Sequence, residues 1–142
     1  MQGLPESIHH RFMITHFFNP PRYMRLLELV RSEKTDDETY YNIAEFGETT
    51  LGKGIVHAKD TPNFIANRIG TYGMMLTLKI AQEMGLTVEE VDKITGTIVG
   101  RPKSATFRTA DIVGLDTMAH VAQTSFDRGC LLYTSPSPRD RG

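Results

Sequence analysis

A histidine and a glutamate, His16 and Glu28, are the residues of this sequence whose types and spacing could do acid–base chemistry. They lie twelve positions apart, with a proline-containing corner at residues 19–22 between them. If residues 12–18 and 24–30 pair as antiparallel strands, the two side chains fall opposite each other, with Cβ atoms about 4.5–5.5 Å apart. The glutamate could then accept one imidazole N–H, fix the tautomer and leave the other ring nitrogen for a substrate hydroxyl.

The alternative is a purely structural pair, because most isolated histidine–glutamate pairs are structural and this spacing is common. The apolar residues around His16 and Glu28 help to decide whether the two side chains pair. Glu28 lies within Leu-Leu-Glu-Leu-Val at 26–30, and His16 lies among the apolar and aromatic residues of 12–18. A carboxylate in a buried apolar strand needs a partner, since an unpaired buried charge is strongly unfavourable. This need favours pairing of the two side chains.

The elements that must position this pair begin with strands. Residues 11–18, rich in β-branched and aromatic side chains, are predicted to form a buried strand, and residues 23–30 a second one. Acidic residues around 35–38 indicate a helix start, because carboxylates suit the positive end of a helix dipole. A short strand is expected at 55–58, after the glycines of 52–54 end that helix.

Helical patterns dominate from Asp60 onward. The sequence Asp-Thr-Pro at 60–62 predicts the first turn of a long, largely buried helix that ends near Met84, where Gly85 suits a C-cap. A capping-box pattern, Thr-Val-Glu-Glu at 87–90, opens the next helix, which is expected to include Val91 and Ile94, with Ile98 left open, and to end at Gly-Arg-Pro of 100–102. One or two further helical segments follow over residues 105–124, interrupted at glycine 114. The change in character predicts a domain boundary near residues 59–62.

Composition excludes some classes of function. Sixteen basic and seventeen acidic residues give a formal net charge of −1, so no nucleic-acid or membrane-surface partner is expected. No apolar run reaches the roughly 20 residues of a membrane span, no signal peptide is visible, and a cytoplasmic protein is expected. Residues 130–142, which include the single cysteine Cys130, have no periodicity and a Ser/Pro/Arg bias. They are predicted to be a non-native or disordered tail.

Several motifs resemble those of one enzyme family. The sequence His-Phe-Phe-Asn-Pro at 16–20, followed by Met-Arg-Leu-Leu-Glu-Leu at 24–29, is similar to the signature of the 3-hydroxyacyl-CoA dehydrogenases. Residues 52–53 with 59–69 resemble the domain-junction motif of that family. Residues 87–92 and 111–117 resemble its C-terminal helical domain. The resemblance covers approximately residues 3–128, in the order and spacing of the family.

The resemblance implies roles for four residues. His16 matches the catalytic histidine, which takes the 3-hydroxyl proton, and Glu28 matches the glutamate that orients it. Asn67 matches an active-site asparagine at the start of the helical domain, whereas without the family a helix-surface amide would be preferred. Asn19 could line the pocket on the cofactor side, although its turn-forming position before a proline explains it equally well.

The family also implies a fold and partners. Residues 1–59 would be the end of a truncated NAD-binding α/β domain of the Rossmann type. Residues 60–129 would be an incomplete all-α domain, like the C-terminal domain of 6-phosphogluconate dehydrogenase. NAD is the expected cofactor, an acyl-CoA the substrate, and a homodimer through the helical domain the assembly. No metal site is expected.

This sequence departs from the family at several points, two of which bear on the fold and the cofactor. The junction motif usually has glycine where this chain has Asn63, and asparagine tolerates unusual backbone angles better than most residues. The glycine-rich strand–turn–helix that binds a dinucleotide is absent, and the glycines of 52–54 cannot replace it. The chain alone is therefore expected to be inactive. Two alternatives stay open: another two-domain NAD(P)-dependent dehydrogenase of small hydroxy acids, and a helical dimerisation module.

Overall fold

The computed structural model describes residues 3–129, and these residues form two compact units. The first unit is Met1–Ile65 and the second is Ala66–Gly142. The predicted tail at 130–142, with Cys130, lies outside the described residues. Each unit is considered by itself.

The first unit is built on a three-stranded sheet. Strand β1 is Met13–Phe17, β2 is Leu26–Arg31 and β3 is Gly54–Ala58, in the order β1-β2-β3. β1 and β2 are antiparallel, whereas β2 and β3 are parallel. A 3-10 helix, Glu6–Arg11, precedes β1. The three predicted strands are confirmed, with narrower bounds for the first two.

The corner between β1 and β2 explains why the second strand begins later than residue 23. The Asn19–Pro20 peptide bond is cis, and the backbone N–H groups of Tyr23 and Met24 both donate to the Pro20 carbonyl. The Lys53 ammonium donates to the carbonyl of Met24 at 2.7 Å and also to that of Pro21. Residues 23–25 therefore belong to the corner, and the lysine between two glycines braces that corner.

Helix α1, Asp37–Glu45, connects β2 to β3 and continues as a π-helix, Phe46–Thr50. The predicted helix start near 35–38 is confirmed. Asp36 is the N-cap, and its carboxylate accepts the Thr39 N–H at 2.6 Å. Hydrogen bonds from Thr39 hold the pKa of Asp36 below its ordinary value. The carboxylate therefore satisfies one of the N–H groups that the first turn leaves without an intrahelical partner.

One face of the sheet packs against α1. The buried core consists of Leu27, Leu29, Tyr40 and Ala44, flanked by Met13 and Ile55. Four consecutive residues of β2 are buried, so this central strand is covered on both faces. The prediction that β1 is buried was wrong, because its residues are half-buried or exposed. β1 has a neighbour on one side only among the described residues, which leaves it less covered than β2.

The second unit is all helical. Helix α2 is Ala66–Met84, α3 is Val88–Thr95, α4 is Phe107–Val113 and α5 is Leu115–Asp127, with a 3-10 helix, Thr97–Val99, between α3 and α4. The capping box at Thr87 and Glu90 is confirmed, and hydrogen bonds from Thr87 hold the pKa of Glu90 below its ordinary value. Gly85 ends α2 with φ at 65°, and Gly114 separates α4 from α5 with φ at 98°, as predicted.

Three details of the helical prediction were wrong. α2 begins at Ala66 rather than in the first turn after Asp60, because Asn63 and Phe64 adopt left-handed backbone angles that a right-handed helix cannot contain. α2 is not largely buried, since only Thr71 and Ala81 are buried within it. α3 ends at Thr95 rather than at residues 100–102, and Ile98 lies in the separate 3-10 helix, Thr97–Val99. Within residues 3–129 no helix is both long and apolar enough to cross a membrane.

Candidate active site

Glu28 lies at the centre of β2, on the sheet face opposite the α1 core. Side chains alternate along a strand, so Leu27 and Leu29 face α1 while Glu28 faces the other way. The glutamate is 0% exposed although it is an acidic residue. Such burial requires compensating hydrogen bonds, because an unpaired buried carboxylate is strongly unfavourable. The partners of this carboxylate therefore define the site.

The first partner is His16, as the spacing predicted. The two residues are direct antiparallel partners, and the imidazole Nδ1 lies 2.7 Å from Oε2 of the carboxylate. The His16 side chain is 21% exposed, so the ring remains accessible while its partner is enclosed. A carboxylate can only accept, so Nδ1 carries the proton in this contact. The predicted pairing is confirmed.

The second partner is a backbone group from the end of the first unit. The N–H of Ile65 donates to Oε1 of Glu28 over 3.1 Å. Each carboxylate oxygen thus accepts a hydrogen bond, one from a side chain and one from the main chain. Hydrogen bonds to an ionised acceptor are about twice as strong as neutral ones. The carboxylate is consequently held in one orientation with respect to the histidine.

The chain reaches Glu28 through a strained backbone. Asn63 and Phe64 have φ of 61° and 53°, and neither is a glycine. The left-handed conformation costs roughly 1–2 kcal/mol per residue for ordinary L-residues and less for asparagine. The tolerance of asparagine for unusual backbone angles fits the positive φ at position 63. The left-handed backbone extends one residue further, to Phe64. The sequence did not indicate this second left-handed residue.

Two aromatic rings enclose the imidazole. The Phe64 ring stacks on His16 with the centroids 4.4 Å apart and the planes 20° from parallel. The Phe18 ring lies 4.6 Å away at 57°. Offset-stacked and tilted geometries are the favoured arrangements of aromatic neighbours. Neither phenylalanine was singled out in the sequence. The left-handed backbone at Asn63 and Phe64 is the reason that spacing alone could not place the Phe64 ring here.

The arrangement can accept a proton at one defined atom. With Nδ1 protonated toward Glu28, Nε2 of His16 carries the lone pair, and among the described residues nothing is hydrogen-bonded to it. A partly exposed imidazole with an oriented lone pair is suited to remove a proton from a hydroxyl. The buried carboxylate would stabilise the imidazolium that results.

The other two predicted residues lie on other elements of the chain. Asn19 lies at the cis bond of the β1–β2 corner and is exposed. Asn67 is half-buried in the first turn of α2 and belongs to the second unit. Asn67 is two residues after Ile65, whose backbone N–H donates to Glu28. The roles predicted for both asparagines stay predictions.

His57 belongs to a different cluster. Its Nδ1 lies 2.6 Å from the Tyr40 hydroxyl, and the Arg31 guanidinium lies 5.0 Å from the Tyr40 ring centroid. Burial raises the pKa of Tyr40, while the charge of Arg31 opposes that rise. The tyrosine is part of the α1 core, so this cluster is explained by the packing of α1 on the sheet.

The described residues suit the acid–base part of a reaction better than cofactor binding. Across residues 3–129, no cluster of three or more His, Cys, Asp or Glu side chains could hold a metal ion. The 142 residues contain no glycine-rich turn of the kind that binds a dinucleotide pyrophosphate.

Comparison with known proteins supports one family over both units. Residues 5–61 match the family model "3-hydroxyacyl-CoA dehydrogenase, NAD binding domain", and residues 64–138 match "3-hydroxyacyl-CoA dehydrogenase, C-terminal domain". A "Probable 3-hydroxyacyl-CoA dehydrogenase" of Bacillus subtilis is 54% identical over 127 residues, which are 89% of this chain and 16% of that protein. One of the same description from Deinococcus radiodurans is 51% identical over 122 residues, 86% of this chain and 35% of that protein.

A solved structure supports the fold. The (S)-3-hydroxybutyryl-CoA dehydrogenase PaaH1 of Ralstonia eutropha matches with a TM-score of 0.75 at 30% identity, over 93% of this chain and 46% of that one. The chain thus spans less than half the length of each of these three proteins. The predicted fold, the end of a Rossmann-type α/β domain followed by an all-α domain, is confirmed. On the strength of both matches and of the relatives, the chain belongs to the 3-hydroxyacyl-CoA dehydrogenase family, whose N-terminal domain binds NAD.

Proposed function

We propose that this chain is the acid–base segment of a longer NAD-dependent dehydrogenase that oxidises (3S)-3-hydroxyacyl-CoA to 3-oxoacyl-CoA in fatty-acid β-oxidation. The observation that carries the proposal is the hydrogen bond between His16 and the fully buried Glu28. Residues 1–59 would complete the NAD-binding domain, and residues 60–129 would form part of the helical domain. The substrate class is taken from the relatives, which are described as 3-hydroxyacyl-CoA dehydrogenases.

The reaction divides between the cofactor and the histidine. NAD supplies the hydride acceptor for the hydrogen on C3 of the substrate. His16 takes the proton of the 3-hydroxyl at Nε2, so the C3–O bond becomes a carbonyl as hydride leaves. Glu28 then stabilises the imidazolium across the 2.7 Å contact. In the reverse direction the imidazolium returns the proton to the forming hydroxyl.

Two asparagines complete the proposal. Asn67, half-buried in the first turn of α2, would donate to a polar atom of the substrate close to the reacting carbons. Asn19, exposed in the corner after β1, would contact the cofactor. Without these contacts the substrate would be oriented less well, which lowers turnover without removing the base.

A homodimer through the helical domain is also proposed. Large apolar side chains of the second unit are exposed, among them Ile69 at 68%, Ile112 at 72% and Phe126 at 74%. An apolar groove of about 350 Å³ between α2, α4 and α5 adds to this surface. Light scattering on the purified protein would show twice the monomer mass if the proposal holds. The cytoplasmic location stays a prediction, which fractionation of the source cells would test.

The function is tested on the complete protein. We would extend the reading frame upstream of Met1 in the source DNA, express the product and follow NADH oxidation with acetoacetyl-CoA. A frame with a strand, a Gly-x-Gly-x-x-Gly turn and a helix, and an active product, are the expected results. The His16→Gln variant should lose about 10²- to 10⁴-fold in kcat, the usual contribution of a general base.

Two outcomes would oppose the proposal. A stop codon in frame directly before Met1, with the short product made in cells, would remove the enzyme assignment for this chain. An active enzyme that keeps its full turnover with His16→Gln would remove the histidine from the mechanism. Free 3-hydroxybutyrate, assayed in parallel, distinguishes a dehydrogenase of small hydroxy acids, because that enzyme would not need the CoA ester.

A further inference from the structure

Residues 63–65 hold both members of the His16–Glu28 pair at once. The ring of Phe64 stacks on the imidazole at 4.4 Å, and the N–H of the next residue, Ile65, bonds the carboxylate at 3.1 Å. Side chain and backbone of two neighbouring residues therefore contact the two partners of one hydrogen bond. Both contacts come from a segment with left-handed backbone angles at Asn63 and Phe64.

The stacked ring constrains a motion that the hydrogen bond leaves open. A single contact between Nδ1 and Oε2 fixes one point of the imidazole, about which the ring plane can still tilt. A second ring 4.4 Å away and only 20° from parallel limits that tilt. The direction of the Nε2 lone pair follows from the plane of the ring. Phe64 thus determines where a proton can be received.

We propose that Phe64, presented by the left-handed backbone of residues 63–64, is a positioning residue that sets the plane of the His16 imidazole for proton transfer. This inference rests on the proposed function, in which His16 is the base. Phe64 does not itself transfer a proton, so its loss should lower turnover far more than substrate binding.

The first experiment uses kinetics of the complete protein. Phe64→Leu should lower kcat about 10-fold or more, since small misplacements of a reacting group can cost as much as about 10²-fold. KM should change by less than about threefold, because the role proposed for the ring is to orient the base and not to bind substrate. Phe64→Tyr, which retains a stacking ring, should restore kcat to within about threefold. Phe46→Leu, the same change at an exposed phenylalanine of the first unit, should leave kcat unchanged.

The second experiment reads the imidazole directly. In the ¹⁵N-labelled 142-residue chain, long-range proton–nitrogen spectra report the tautomer and ring-proton shifts of His16, assigned by their loss in His16→Gln. Phe64→Leu should move the His16 ring protons downfield, because the shielding of the stacked ring is lost. Asn63→Val keeps the ring but disfavours the left-handed backbone, so it should give the same displacement. Asn63→Gly, which tolerates that backbone, should leave the shifts in place.

The outcomes separate the inference from the proposed function. If His16→Gln abolishes turnover while a folded Phe64→Leu keeps wild-type kcat and His16 shifts, the positioning role is overturned and the base stands. If His16→Gln is fully active, the proposed function itself fails. Should Phe64→Leu not fold, Phe64→Met fills a similar volume without a ring, and wild-type kcat in that variant overturns the inference.

Discussion

Replacing Glu28 with glutamine is predicted to move the His16 proton to the wrong nitrogen. The carboxylate accepts from His16 Nδ1 at 2.7 Å and from the Ile65 N–H at 3.1 Å. A glutamine of the same shape has one accepting oxygen and one NH₂ group that only donates. If its oxygen serves the backbone N–H, its NH₂ group faces the imidazole. The imidazole can adapt by accepting at Nδ1 and carrying its proton on Nε2, which removes the base.

The effect on turnover should greatly exceed the effect on stability. Loss of a general base costs about 10²- to 10⁴-fold in rate, or about 2.7–5.4 kcal/mol at about 1.36 kcal/mol per factor of ten. A hydrogen bond to a charged group contributes about 1.5–3 kcal/mol to folding. Removal of a fully buried charge offsets part of that loss. The free energy of unfolding should therefore change by less than about 2 kcal/mol.

Two measurements test this prediction: the turnover of the complete protein and the tautomer of His16. NADH-dependent reduction of acetoacetyl-CoA gives kcat for the complete protein, and long-range proton–nitrogen spectra of the 142-residue chain identify the protonated nitrogen of His16. Glu38→Gln makes the same change at an exposed glutamate of α1 and should alter neither reading. A folded Glu28→Gln variant that retains Nδ1–H and wild-type kcat would refute the reasoning about orientation.

Two further predictions concern the stability of the first unit. Leu29→Ala should lower the free energy of unfolding by about 2–5 kcal/mol in urea titrations, because Leu29 is 0% exposed in the core; Leu51→Ala, at 41% exposure, should cost within about 0.5 kcal/mol, and equal losses would contradict the packing. The lowered pKa of Asp36 means that its charged form stabilises α1 above the ordinary pKa of 3.8 and that this contribution is lost as the pH falls through the lowered value. Asp36→Asn keeps an N-cap but cannot titrate there, so melting temperatures measured between pH 5 and pH 2 should fall less steeply than in the wild type; parallel slopes would contradict the role of this cap.

The central part of the site could be predicted because it depends on strand periodicity. Two residues equidistant from a proline corner must oppose each other if the flanking strands pair, so the register of His16 and Glu28 followed from spacing alone. Burial of the glutamate followed from the four apolar residues around it in β2. Both inferences depend on the alternation of side chains along a strand. They therefore hold even when the predicted strand ends are wrong by a few residues.

The contribution of residues 63–65 could not be predicted in the same way. Proline at position 62 is a good first-turn residue for a helix. Local preference alone therefore placed the predicted start of α2 too early in the sequence. The observed backbone at Asn63 and Phe64 is locally unfavourable, and its compensation comes from a carboxylate and a ring more than thirty residues upstream. Asparagine is enriched at left-handed backbone angles, so Asn63 gave a usable signal in the sequence. Phenylalanine is not enriched there, so the residue type of Phe64 gave no such signal.

Proton acceptance and hydride transfer, the two chemical tasks of the proposed reaction, can be tested separately because the residues that contact the proposed base lie in the first unit. His16, Glu28, Phe64 and Ile65 all lie in Met1–Ile65, so the contacts that fix the imidazole require neither cofactor nor substrate. The tautomer of His16 is therefore measurable in the 142-residue chain, where hydride transfer is not expected. An ordered Nδ1–H tautomer in a chain without turnover would show that the base is preorganised before NAD binds. Preorganised groups lower the activation barrier most effectively, because they need not reorganise during the reaction.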